Sequence, residues 1–200
     1  MEDKERVVQK HIVAFCSILP SHIECWKTTL KELQNPIKAV SNFAEQLRYV
    51  DRAKISYIND FEQVQNQLKT KILIDIEQEL ESIKNNLDKL SKINQDLKNK
   101  LSQLERSTID INWDSESFTI RGSPTQPALT IILQLGYQYH IFFSDILKNV
   151  NRTLKCIDFK NDKSIEQFVK SCPSNIESLD CKNIKYLLAL TQYVVTNKNT

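Results

Sequence analysis

The chain has 200 residues with 27 basic and 25 acidic side chains, so its net charge of +2 supplies no large field to draw nucleic acid or an anionic membrane. Only 2 glycines and 5 prolines occur, where an average chain of this length holds roughly 14 glycines. That scarcity counts against phosphate-cradling loops and tight nucleotide sites, which rely on glycine's access to positive φ, and it points to long regular elements joined by few turns.

From the N-terminus, Met1-Glu2-Asp3-Lys4-Glu5-Arg6 is too charged for a signal peptide, and no window approaches the apolar length of a membrane span. Val8, Ile12, Phe15, Leu19, Ile23, Trp26, Leu30 and Leu33 then step by three or four, the spacing of one buried helix face. Pro20 falls inside this run and predicts a kink or short break near Ile18. Asn35-Pro36 reads as a cap followed by a first-turn proline, opening a second helix through about Val50 with Ile37, Val40, Phe43, Ala44 and Leu47 facing the core.

The next segment carries the strongest periodicity. Leu73, Ile76, Leu80, Ile83, Leu87, Leu90, Asn94, Leu97, Leu101 and Leu104 alternate in steps of three and four. Such a heptad seam stays on one face only if helices supercoil around it. It runs for roughly 48 Å at 1.5 Å per residue, too far for one small core, so long helices of this chain or another must cover it. An intermolecular seam is favoured, and its ten residues are the candidate partner-binding positions. Asn94 is its one polar member and wants a polar group opposite it, which would select register or partner.

Residues 107–127 mix Trp113, Phe118 and Ile120 with Asp, Ser, Thr, Gly and Pro, and read as a linker, either mobile or itself a binding loop. Beyond it, Thr125-Gln126-Pro127 can open a helix so apolar, from Leu129 to Leu147, that it needs cover from more than one neighbour. Shorter helices are predicted over Ser164 to Cys172 and Asp180 to about Val195, with a polar tail that frays. The expected fold class is all-α, with long helices, a heptad coiled-coil segment and a C-terminal helical region. The segments are 5–106, 107–127 and 128–195.

The chemistry of catalysis is missing. His11, His22 and His140 lie apart, and the spacing of His11, Cys16, His22 and Cys25 does not point four ligands one way on a helix. Cys172 and Cys181 have no activating neighbour in sequence. No Walker loop, dinucleotide glycine pattern or serine elbow occurs. No enzyme activity, cofactor, metal or small-molecule substrate is expected. Five widely spaced cysteines suit reduced thiols, in keeping with cytoplasm and nucleus.

Three stretches resemble a known family, the small AAA-ATPase-interacting ribosome maturation factors of animals. Trp26-Lys27-Thr28-Thr29-Leu30 followed by Ser41-Asn42-Phe43-Ala44-Glu45-Gln46-Leu47 looks like the family's tryptophan helix and its Ser-Asn-Leu-Ala-Glu-Gln-Leu run. Phe61-Glu62 through Leu68-Lys69 into Ile74, Leu80 and Leu90 follows its Phe-Pro-Asp-Leu-Lys…Leu helix. Tyr137-Gln138-Tyr139, ahead of a short segment around Asp158, matches the rhythm of its last third, whereas 107–127 matches little. The resemblance implies a non-enzymatic adaptor that pairs with cyclin-dependent-kinase-2-interacting protein. Together they would join AAA ATPases acting on large-subunit (pre-60S) ribosome precursors, from which shuttling factors are recycled. A cell-cycle or DNA-replication scaffold using the same surface is the alternative.

Overall fold

Helix α1 spans Glu2–Arg52 without interruption, carrying both Pro20 and Pro36 inside it. The break predicted near Ile18 and the fresh start at Asn35-Pro36 are therefore corrected. Each proline forfeits one amide hydrogen bond and costs about 3 kcal/mol in a helix interior. Against that, the apolar stripe keeps its register on both sides of each ring: Phe15 and Leu19 with Trp26 around Pro20, and Leu33 with Ile37 and Val40 around Pro36, all buried. Each such side chain is worth about 1.5–3 kcal/mol when buried, so packing outweighs the local penalty.

The computed structural model describes residues 2–55, 60–176 and 182–196, the side chains of Glu2, Val195 and Thr196 excepted. After α1 come α2 (Phe61–Ser107), the short α3 (Phe118–Arg121), α4 (Leu129–Lys155), α5 (Asp162–Ser171) and α6 (Lys182–Thr196). The fold is all-α, with six helices and no strand among the described residues. The predicted helix start at Asp180, Cys181 and the tail from Asn197 lie outside them.

Contacts divide the chain into two units, each gathered from separate stretches. One comprises Met1–Lys27, Ser91–Asp145 and Ile176–Thr200; the other comprises Thr28–Leu90 and Ile146–Asn175. In the first, α4 is covered from two sides. Its Gly136 admits Phe15 of α1 and Leu101 of α2 so closely that a Cβ there would lie 2.9 and 3.0 Å from them. Phe143 packs at a tilt between Trp26 and Tyr139, with ring centres 4.6 and 4.8 Å away. Val8, Ile12, Leu97, Leu104, Ile132 and Leu187 complete this core.

The second unit is built on α1 and α2 running antiparallel. Lys69 pairs with Asp51 at 2.6 Å and Lys89 with Glu32 at 3.2 Å, which marks the antiparallel direction and the register of the pair. Between these, Leu47, Ile72 and Ile76 form a buried cluster flanked by Phe43, Val50, Leu80 and Phe159. Gln65 donates to the carbonyls of Val50 and Ala53 at the end of α1, where backbone acceptors outnumber intrahelical donors. Asn161 caps α5 by accepting from the Lys163 amide, and Arg48 of α1 bonds both the Phe159 carbonyl and the Asp162 carboxylate. The predicted helix over Ser164 to Cys172 corresponds to α5, which opens two residues earlier.

Candidate partner-binding surface

The seam positions all fall on α2, and the structure buries most of them within the chain itself. Ile76, Ile83, Leu87 and Leu90 in the second unit are covered, as are Asn94, Leu97, Leu101 and Leu104 in the first. Leu80 is half-buried against the Leu47 cluster. Leu73 alone stands open, at 43% exposure. Without displacement of the chain's own helices, a partner can therefore reach the seam only at its N-terminal end. There Leu73 is joined by Val64, Leu68 and Ile74, all exposed on the first half of α2.

Asn94 finds its polar complement inside the chain. Its side-chain amide donates to Ser144 Oγ of α4 at 2.9 Å, and that hydroxyl in turn lies 3.3 Å from His140 Nε2. A second buried polar contact sits in the same unit, with His22 Nδ1 3.0 Å from the Tyr139 hydroxyl. Burial lowers the His22 pKa to about 4, opposed by the Asn94 side chain and reinforced by His140. The ring is thus neutral near pH 7. Trp26 Nε1 is buried without a hydrogen-bond partner, an energetic cost that this aromatic layer carries.

The 107–127 segment is tied to α1. Ser115 Oγ donates to Glu5 at 3.0 Å, Thr119 Oγ1 reaches Gln9 at 3.3 Å, and the Gln126 side chain meets Gln9 at 3.1 Å. Ile120 is buried, and an isolated bridge between Ser123 and Gln126 closes the turn after Gly122. That glycine adopts φ +88°, and a Cβ on it would fall 2.7 Å from the Ala128 nitrogen. Nevertheless Ile109 and Phe118 protrude, 75% and 78% exposed, and Trp113 is 40% exposed. The residue types were visible in sequence; that they point outward from a pinned segment was not.

No reactive centre assembles around these residues. Burial pushes the Cys16 thiol up to about 12 and the Cys172 thiol up to about 11, the latter partly offset by Ser171, so both stay protonated and inert near pH 7. Among the described residues, no group of three or more His, Cys, Asp or Glu side chains could hold a metal ion. No described helix is long and apolar enough to cross a membrane.

A comparison with individual curated proteins gave no match. The model of one family, CA109-like, described as ribosome biogenesis protein C1orf109-like, matches residues 6–193, which takes in both units and every seam position. The chain belongs to this family of ribosome biogenesis proteins.

Proposed function

We propose that the protein is an adaptor subunit of an AAA ATPase assembly, acting in large-ribosomal-subunit (pre-60S) maturation and in the recycling of shuttling factors. Membership of its family makes it a non-enzymatic ribosome biogenesis protein. The observation that carries the reading is that this match runs over residues 6–193, in a chain that also bears the Trp26–Leu47 and Phe61–Leu90 likenesses to the AAA-ATPase-interacting factors. An adaptor needs surfaces rather than a pocket, and the chain offers exposed apolar side chains on ordered elements in place of convergent titratable groups.

In this proposal cyclin-dependent-kinase-2-interacting protein pairs with α2 as a coiled-coil partner. The contact is centred on Leu73 with Val64, Leu68 and Ile74, because the rest of the heptad seam is occupied by the chain's own helices. The assembly works in cytoplasm and nucleus and engages pre-60S particles through its ATPases. Affinity purification of the tagged chain from cells, followed by mass measurement of the isolated complex, tests this. Recovery of the coiled-coil partner and AAA ATPases with large-subunit precursor factors is expected. Recovery of replication proteins in their place would refute the ribosomal role and favour a replication scaffold.

A further inference from the structure

The segment from Ile109 to Phe118 places apolar and acidic side chains in alternation on a backbone that is already fixed. Ile109, Trp113 and Phe118 project into solvent, and Asp110, Asp114 and Glu116 stand between them. From Ser107 to Ile120 there is no lysine or arginine. Single exposed hydrophobics are ordinary, but three within ten residues, all on an ordered segment, are not explained by the fold. Ile120 anchors α3 inward, so Phe118, two residues before it, necessarily faces away; a polar residue would serve the fold better there.

Order at this place matters because a docking element that is already shaped loses little conformational entropy on binding. Glu5 and Gln9 hold Ser115 and Thr119, and the Asp114 amide donates to Asn112 Oδ1 at 3.1 Å. The acids have only weak partners within the chain. Asp110 lies 3.9 Å from Lys4 and Glu116 3.3 Å from Arg121, both pairs exposed and readily screened, so a ligand's cations can replace them.

We propose that residues 109–118 form a docking surface for a basic amphipathic segment of a partner protein. Its apolar side chains would cover Ile109, Trp113 and Phe118, and its lysines or arginines would answer Asp110, Asp114 and Glu116. The charge chooses the occupant: three acids against Lys4 and Arg121 leave the patch net negative, which favours a basic segment over an acidic one or a nucleic acid. The inference rests on the adaptor reading in so far as it supplies a second contact for that role, beside the one at the start of α2.

The test titrates the full chain with a short synthetic amphipathic peptide whose polar face is lysine, and with its counterpart in which each lysine is glutamate. Trp113 fluorescence reports binding, because Trp26, the other tryptophan, is fully buried. The lysine peptide should shift the emission to the blue and bind more weakly as salt rises, while the glutamate peptide does neither. Ile109→Ala with Phe118→Ala should weaken binding about thirtyfold, and Asp110→Asn, Asp114→Asn and Glu116→Gln together should abolish the salt dependence. All these side chains are exposed, so the variants should keep the wild-type melting temperature, and Tyr49→Ala, on another exposed surface, should bind like wild type. Equal binding of both peptides, or unchanged binding by the Ile109/Phe118 variant, overturns the proposal. If the chain co-purifies with ATPases but ignores the lysine peptide, the docking surface fails and the adaptor reading stands. If the peptide binds through these residues and no ATPase is recovered, the reverse holds.

Discussion

Leu73 and Leu90 both lie on the heptad seam, yet the structure separates them: Leu73 is 43% exposed and Leu90 is 1% exposed in the core of the second unit. Leu90→Ala removes a fully packed side chain whose neighbours include rigid helices, at a cost of about 2–5 kcal/mol. For a chain of this size about 2–4 °C of melting temperature accompanies each kcal/mol, so a fall of about 5–15 °C is expected. Leu73→Ala loses only partial burial and should cost less than about 1 kcal/mol while weakening the partner contact at the start of α2. Circular-dichroism melts of the isolated chain read the first effect, and titration with the coiled-coil partner reads the second. Leu87→Asp with Leu90→Asp goes further, since two buried carboxylates add desolvation to lost packing and together approach the whole stability of a typical domain, about 5–15 kcal/mol. Wild-type melting of the isolated Leu90→Ala chain, with loss of partner affinity alone, would refute the reasoning, because it would mean that the seam is covered only by a partner.

Gly136→Ala gains about 1 kcal/mol of helix propensity but drives a methyl group against Phe15 and Leu101, where overpacking costs about 1–3 kcal/mol; a lowered melting temperature is expected, and a raised one would show slack between α1, α2 and α4. Gly122→Ala must leave φ +88° or collide with the Ala128 and Gln126 backbone, so it should cost more than about 1 kcal/mol in urea unfolding and weaken lysine-peptide binding together. His22, lowered from 6.5 to about 4 chiefly by burial, makes the unfolded chain bind the extra proton between those values. Its contribution to stability is thus complete above about pH 6.5 and is lost as pH falls toward 4, by about 3 kcal/mol in all. The difference between urea unfolding at pH 7 and at pH 4 should shrink by about that amount in His22→Gln, and an unchanged difference would show that His22 does not titrate with folding.

The helices were legible because apolar spacing alone signals them: the seam from Leu73 to Leu104 lies within α2 and the apolar run from Leu129 to Leu147 within α4, although spacing gave neither the start of α2 at Phe61 nor the end of α4 at Lys155. What local signals concealed was the cover for the seam. Reading Asn35-Pro36 as a helix start cut the α1 stripe in two, yet Leu30, Leu33, Ile37, Val40, Ala44 and Leu47 continue in steps of three and four across the proline. Joined, that stripe alternates as regularly as the part of the seam it faces in the second unit, and an intramolecular antiparallel pair becomes the simpler solution. The missing term was energetic: one lost hydrogen bond and a ring clash weigh less than the burial of a continuous face. The exposure of Phe118 was hidden for a different reason, since its neighbours Ser115 and Thr119 are held by Glu5 and Gln9, more than a hundred residues away in sequence.

Asn94 shows how the same residue changes meaning once its surroundings are known. In a seam read as intermolecular, a buried amide selects the partner; here Ser144 of α4 accepts its hydrogen bond and His140 extends the chain. Shifting α2 against α4 by one seam step would separate Asn94 from Ser144, placing an unpaired amide in an apolar layer at about 1–3 kcal/mol. Its selectivity is therefore spent on the register of this chain's own helices. In the proposed adaptor, partner choice then falls to groups the fold leaves outside: the exposed apolar residues at the start of α2 and the acidic, aromatic segment from Ile109 to Phe118. Neither surface is needed to complete a core, so each can change its partner contacts without unfolding the protein. That independence is what an adaptor requires of its surfaces, and a seam buried in its own core could not supply it.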